Sequence, residues 1–227
     1  MGFNGNKIVK TPNLDGLAAQ GVVLSRFYSA SAVCSPTRGS VMTGRNPNRI
    51  GIPNANEGHL DKNEITLAEV LKDKGYTTGH FGKWHLGTFT TTEKDANRGG
   101  TPQNDKHFTV PSDHGYQDYL ATESKVPTYN PMAKPKKFEQ GESLRDGWNA
   151  RTDEQETEAY GTFYWTLNNQ KVSKALDGDD SKIIMDRVIK FIDQSKQQKN
   201  LSFQLFGFIH HIYRLQLTKP GAICIRV

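Results

Sequence analysis

The sequence predicts an α/β protein, a sheet with crossover connections flanked by helices. Two segments within residues 1–80 each run from a capped helix, through a glycine, into a β-branched or aromatic stretch. Alternation of that kind builds sheets whose strands are joined by crossovers. Residues 180–198 add the clearest helical periodicity in the chain.

Thr11 can cap a first helix, with Pro12 at its opening position. Leu14, Leu17 and Ala18 share one face, and Gly21 stands where a helix stops. Val22, Val23, Leu24, Phe27 and Tyr28 then read as a strand. The pattern recurs at Thr66-Leu-Ala-Glu69, a capping box. Leu67, Val70 and Leu71 form its apolar face, Gly75 ends it, and Tyr76 to Phe81 reads as the next strand. Residues 88–165 have little apolar periodicity and much Thr, Asn, Asp, Gly and Pro, which predicts an irregular insertion of long loops. A stretch so long is functional or poorly ordered. In residues 180–198, Ile184, Val188, Phe191 and Ile192 share a face, with Asp180 or Ser181 as the cap.

Composition excludes several classes. The chain has 227 residues, 35% of them apolar, and no run approaches the ~18 apolar residues of a membrane span. No basic stretch followed by an apolar one opens it, so no signal peptide is read. Two cysteines, Cys34 and Cys224, rule out a disulfide scaffold and a four-thiolate zinc site. The pI near 9.1 hints at acidic partners. Three of the five net positive charges, however, come from residues 201–227, which carry Arg214, Lys219 and Arg226 and no acid. Residues 1–200 hold 26 basic and 24 acidic side chains. Neither a nucleic-acid nor a membrane partner is expected from that balance.

Two segments carry chemistry. In Cys34-Ser-Pro-Thr-Arg-Gly-Ser-Val-Met-Thr-Gly-Arg45, Ser35 can cap a helix, Pro36 suits its first turn and Gly44 its end. Cys34 then lies at a helix N-terminus, where free N–H groups favour an anion. Arg38, four residues on, can reach back over that end, and Arg45 can brace the loop beyond it. Spacing alone leaves Cys34 readable as a structural cysteine too. The second segment places Lys83, Trp84 and His85 between glycines at the end of a predicted strand, where α/β folds gather functional groups. A surface Lys, a packed Trp and an incidental His fit the same letters.

Together the two segments resemble the type I sulfatases, members of the alkaline-phosphatase-like superfamily. CSPTRGSVMTGR matches the first signature of that family without departure, and Gly82-Lys-Trp-His-Leu-Gly87 matches the second. TPNLDGLAAQGVVLSRFYS resembles the family's first helix and following strand, and the likeness resumes at Tyr160–Trp165 and Gly178–Arg187. The resemblance implies part of an alkaline-phosphatase-like mixed sheet flanked by helices, incomplete here. It implies sulfate-ester hydrolysis, with Cys34 oxidised to formylglycine by a formylglycine-generating enzyme. The hydrated aldehyde offers one hydroxyl to attack sulfur and a second to expel sulfate. Arg38 would hold the diol, Lys83 would bridge the diol and a sulfate oxygen of the substrate, and His85 would accept a proton. A calcium ion polarises the sulfate in the family. The implied substrate is a sulfated small molecule or carbohydrate, and the family is usually exported. A phosphoesterase of the same superfamily and a non-catalytic fragment or binding protein are the rival readings. Phosphoesterases use a plain Thr or Ser where Cys34 stands.

The family's calcium ligands include adjacent aspartates from a first strand, expected to precede Gly2. They are largely absent, so no metal ligand is assigned and low activity is expected. Asp15, Asp61, Asp73 and the adjacent Asp179 and Asp180 are not read as replacements. Residues 201–227 are expected to be an out-of-frame tail. Codons for Leu205–Arg214, read one nucleotide earlier, permit Val-Ile-Trp-Phe-His-Thr-Pro-His-Leu-Pro, which resembles the family's next strand and its substrate-binding histidine loop. His210 and His211 are therefore not cast as catalytic. A genuine strand is the alternative for that stretch. The domain expected is thus a partial catalytic domain over residues 1–200, cut at both ends.

Overall fold

A computed structural model describes residues 1–95, 102–144, 147–151, 153–172, 176–198 and 200–207. Two compact units divide the chain at Ser29.

The first unit contains a 3₁₀ turn, Gly2–Asn4, and helix α1, Pro12–Gln20. Asp15 ties them together: its Oδ1 accepts from the Phe3 amide at 2.7 Å and from the Thr11 hydroxyl at 2.9 Å. Thr11 occupies the cap position but donates to Asp15 instead of accepting from a helix amide. The strand expected over residues 22–28 does not form, and this run joins neither sheet. β propensity alone does not make a strand, because the backbone groups need a ladder partner.

The second unit is built on a five-stranded mixed sheet of order β6-β5-β2-β1-β7. Its strands are β1 (Thr77–Lys83), β2 (Asp118–Thr122), β5 (Trp165–Thr166), β6 (Gln170–Lys171) and β7 (Ser202–Gly207). The short pair β3 (Ala133–Pro135) and β4 (Thr157–Ala159) forms a separate antiparallel ribbon. β1 lies between β2 and β7 and runs parallel to both, while β5 and β6 are antiparallel additions. This is the mixed sheet flanked by helices that the sequence predicts.

Apolar side chains alternate across the sheet into two clusters. Tyr119 and Ala121 of β2 join Trp84, Leu86, Met42 of helix α2 (Cys34–Thr43) and Ala68 of helix α3 (Leu67–Asp73). Phe81 of β1 and Leu120 of β2 face the other way, onto Ile184, Val188 and Phe191 of helix α4 (Asp180–Gln197). Period-two alternation of this kind places one residue set under each helical layer. β1 is covered on both sides, as strands of a parallel core are.

The caps follow local chemistry. α3 has its capping box: the Glu69 amide donates to Thr66 Oγ1 at 3.3 Å, and the Thr66 amide donates to Glu69 Oε2 at 2.7 Å. α4 is capped one residue earlier than expected. Asp179 Oδ1 accepts from the Ser181 amide at 2.8 Å and the Lys182 amide at 3.3 Å. Asp180 is the first helical residue and is buried instead. Replacing Asp179 by Ala should therefore cost about 1 kcal/mol. A urea titration checks it, with Asp179→Asn, which keeps a capping oxygen, expected to lose much less.

Within residues 88–165, read from the sequence as an insertion of long loops, lie the strand β2 and much of both clusters. β2 escapes a periodicity search because it is five residues long and covered on both faces, so its residues do not alternate between apolar and polar. Ser202–Gly207, inside the stretch expected to be out of frame, pairs along β1 as β7. His210, His211, Arg214, Lys219, Cys224 and Arg226 lie outside the described residues.

Candidate active site

The site forms where β1 ends and α2 begins. Lys83 is the last residue of β1, and Trp84 and His85 follow it. The Trp84 amide donates to Thr122 O at 2.8 Å, extending the pairing with β2, and its indole Nε1 donates to Thr109 O at 3.0 Å inside the core. With Trp84 anchored, His85 takes a left-handed conformation, φ 55°, unusual for a residue with a side chain. Such strain persists where the surroundings over-determine it, and it concentrates at functional sites. His85 Nε2 lies 2.7 Å from Asn56 Oδ1, which fixes the ring's orientation.

α2 begins at Cys34 itself, with Val33 at the cap position and no side-chain cap. Ser35, expected as the cap, is a buried residue of the first turn. Its hydroxyl donates to His85 O at 2.7 Å and so fastens the helix start to the loop after β1. Arg38, one turn on, donates from Nη1 to Lys83 O at 2.6 Å. Its Nε is buried with no hydrogen-bond partner among the described residues. Lys83 Nζ lies 3.7 Å from Cys34 Sγ, and Cys34 is exposed. The structure thus gathers Cys34, Arg38, Lys83 and His85. Arg45 lies beyond Gly44, whose φ of 69° closes the helix, and pairs with the Glu64 carboxylate on the segment leading to α3.

Two cations dominate the field at this end of the sheet. Burial pulls the Lys83 ammonium below the usual lysine value, with the charge of Arg38 acting the same way and Cys34 and Glu123 opposing it. Burial likewise lowers the Arg38 guanidinium, with Cys34 opposing. His80, beneath them, is pushed down to about 3 by burial and then by Arg38, so it stays neutral at physiological pH. An uncapped helix start, an ammonium and a guanidinium with an unused donor together suit a tetrahedral anion beside position 34. Asn56, Ser35, Glu123 and His80 were not singled out for these roles in the sequence. Asn56 does carry a signal of its kind, since at φ 67° it occupies the left-handed region asparagine tolerates.

No group of three or more His, Cys, Asp or Glu side chains among the described residues is close enough to hold a metal ion. Calcium asks for six to eight oxygens. Asp61 Oδ1 accepts from the Asn63 amide and side chain, each at 2.8 Å, and Asp179 is spent on the α4 cap. The described residues therefore do not fit a calcium site, and no chemistry is assigned through one.

The Sulfatase family model matches residues 1–216. The chain belongs to the sulfatase family. This sulfatase chain is 43% identical to human steryl-sulfatase over 104 residues, covering 41% of the chain and 18% of that protein. It is 31% identical to mouse arylsulfatase G over 229 residues, covering 98% of the chain and 40% of that protein. It therefore spans less than half the length of either relative. Its fold matches the crystal structure of Ps i-CgsB in complex with k-i-k-neocarrahexaose, with a TM-score of 0.64 at 23% identity, covering 95% of this chain and 43% of that one. It also matches the structure of BT4656 in complex with its substrate D-glucosamine-2-N,6-O-disulfate, with a TM-score of 0.60 at 18% identity, over 91% and 31% of the two chains. Both likenesses support the alkaline-phosphatase-like fold expected from the sequence. Among the described residues, no helix is long and apolar enough to cross a membrane.

Proposed function

We propose that residues 1–200 are part of a catalytic domain that hydrolyses a sulfate ester through a formylglycine made from Cys34. The observation that carries this reading is the exposed Cys34 at the first turn of α2, with Lys83 Nζ 3.7 Å away and the buried, unused Nε of Arg38 behind it. The hydrated aldehyde would supply one hydroxyl to take the sulfuryl group and a second to release it. Lys83 binds a sulfate oxygen as a point charge, and Arg38 holds the negative charge at position 34. His85, held by Asn56 and by the Ser35 hydroxyl on its carbonyl, takes the proton lost when sulfate leaves. Arg45 supports the site from outside through Glu64.

The partners of this reading are a formylglycine-generating enzyme and a sulfated carbohydrate or small molecule, and export from the cytosol accompanies it. The solved neighbours bound to a neocarrahexaose and to a glucosamine disulfate support the carbohydrate class. Low turnover by this chain alone is part of the same reading. Maturation is the direct test. The chain is co-expressed with a formylglycine-generating enzyme, and the peptide bearing Cys34 is weighed by mass spectrometry. Conversion of CH2–SH to CHO at Cys34 is expected. A thiol that survives in full would overturn the proposal without any activity assay.

A further inference from the structure

We propose that His59 and His107 form a transition-metal site that takes one Zn2+ or Ni2+ ion, with water completing the coordination. The two Nδ1 atoms lie 3.2 Å apart, one ring donating and the other accepting, with the rings edge to face. Two metal–nitrogen bonds of about 2.0–2.1 Å at a near-tetrahedral angle would hold those atoms roughly 3.3–3.4 Å apart. The pair is thus already spaced for chelation, and a turn of each ring by about 35° from the line joining the two nitrogens would aim both at one ion in place of the shared proton. Both side chains are half-buried.

The backbone prepares this spacing. The residue after His59, Leu60, is fully buried and donates its amide to Leu86 O at 2.8 Å. His107 O accepts from the Thr88 amide at 2.8 Å, and Thr88 and Phe108 form a parallel bridge. Two segments 48 positions apart in sequence are therefore hung from one short strip, Leu86–Thr88. Gly87 lets them approach, because a Cβ there would come within 2.1 Å of Thr109 Cγ2 and 2.8 Å of His107 O.

Imidazole pairs suit zinc, nickel and copper, whereas calcium prefers oxygen, so this ion would be distinct from the metal of sulfate chemistry. No third His, Cys, Asp or Glu completes the site among the described residues, and binding should be weaker than at a four-ligand structural zinc. The strip that holds the pair starts one residue after His85. An ion bound there would pin the loop that carries His85.

The test is a titration of the chelator-stripped full chain with Zn2+, read by competition against a chromogenic chelator, with Ni2+ in parallel. One equivalent should bind. His59→Ala and His107→Ala should each weaken it at least tenfold, while Cys34→Ala and the His210→Ala/His211→Ala double variant leave it unchanged. Unaltered affinity in both single variants would overturn the site. If those variants fail to fold, Ni2+ added to the unsubstituted chain decides the matter. Its paramagnetic broadening should fall first on the ring protons of His59 and His107, and broadening confined to other histidines would refute the proposal.

Discussion

Replacing Cys34 by Ala in the matured protein is expected to reduce sulfate-ester turnover to the uncatalysed background, while stability changes by no more than about 0.5 kcal/mol. The two outcomes separate because of where the side chain sits. Cys34 is exposed at the first turn of α2, and its side-chain contact is the Lys83 ammonium at 3.7 Å, so alanine leaves no cavity. Every proposed bond-making step passes through position 34, so none survives the substitution. Cys34→Ser is the sharper control. Serine offers one hydroxyl where a hydrated aldehyde offers two, so it can accept a sulfuryl group but has no second hydroxyl to expel it. A single slow turnover leaving a sulfated protein is therefore expected, detectable by mass. Lys83→Ala should cost roughly a hundred- to a thousandfold in rate, on the scale of losing one group that steadies the developing negative charge. Undiminished arylsulfate hydrolysis in Cys34→Ala would remove the assignment altogether.

Legibility in the sequence followed how local the physics was. The capping box at Thr66–Glu69, the α2 stop at Gly44 and the apolar face of α4 are decided within a few residues, and all three are formed. Cys34, Arg38, Lys83 and His85 were legible because two motifs carry them, and the fold brings those motifs together by joining Arg38 to Lys83 O and Ser35 to His85 O. Those joining bonds span 45 and 50 residues, and no local pattern announces them. The same reason hides Asn56, which meets His85 across 29 residues. β2 was missed because a short strand buried on both faces lacks alternation, and residues 22–28 were over-read because their β-branched and aromatic run has no ladder partner. Local propensity proposes strands, and pairing disposes of them.

Asp95→Asn should change the way stability depends on pH. Asp95 is fully buried; its Oδ2 accepts from the Trp165 indole at 2.6 Å and its Oδ1 from the Phe163 amide at 3.4 Å. Burial, with the nearby charges of Glu123 and Glu93, raises its pKa to about 7 against an unperturbed 3.8, although the two hydrogen bonds pull the other way. Between those values the folded protein keeps a proton that the unfolded chain has lost. The contribution is therefore fully present below about pH 4 and disappears as pH rises through 7, at up to about 1.4 kcal/mol per pH unit. Asp180, also raised to about 7 by burial, behaves alike. His80 and His114 act oppositely, since burial lowers them to about 3 and about 4, and their unfolded forms bind protons up to about pH 6.5. Two buried acids and two buried imidazoles thus nearly cancel between about pH 4.5 and 6.5, and the unsubstituted protein should show a flat profile there, falling only above it. The carboxamide of the Asp95→Asn variant can still accept from the indole, so the variant should match the parent near pH 4.5. Its advantage should then widen by about 1.4 kcal/mol per unit to neutrality, because subtracting one curve from the other removes the histidines and Asp180. Urea midpoints measured in parallel at half-unit steps read this difference directly. A gap that stays constant with pH would mean that Asp95 is ionised in the folded protein, with Trp165 and Phe163 outweighing its burial.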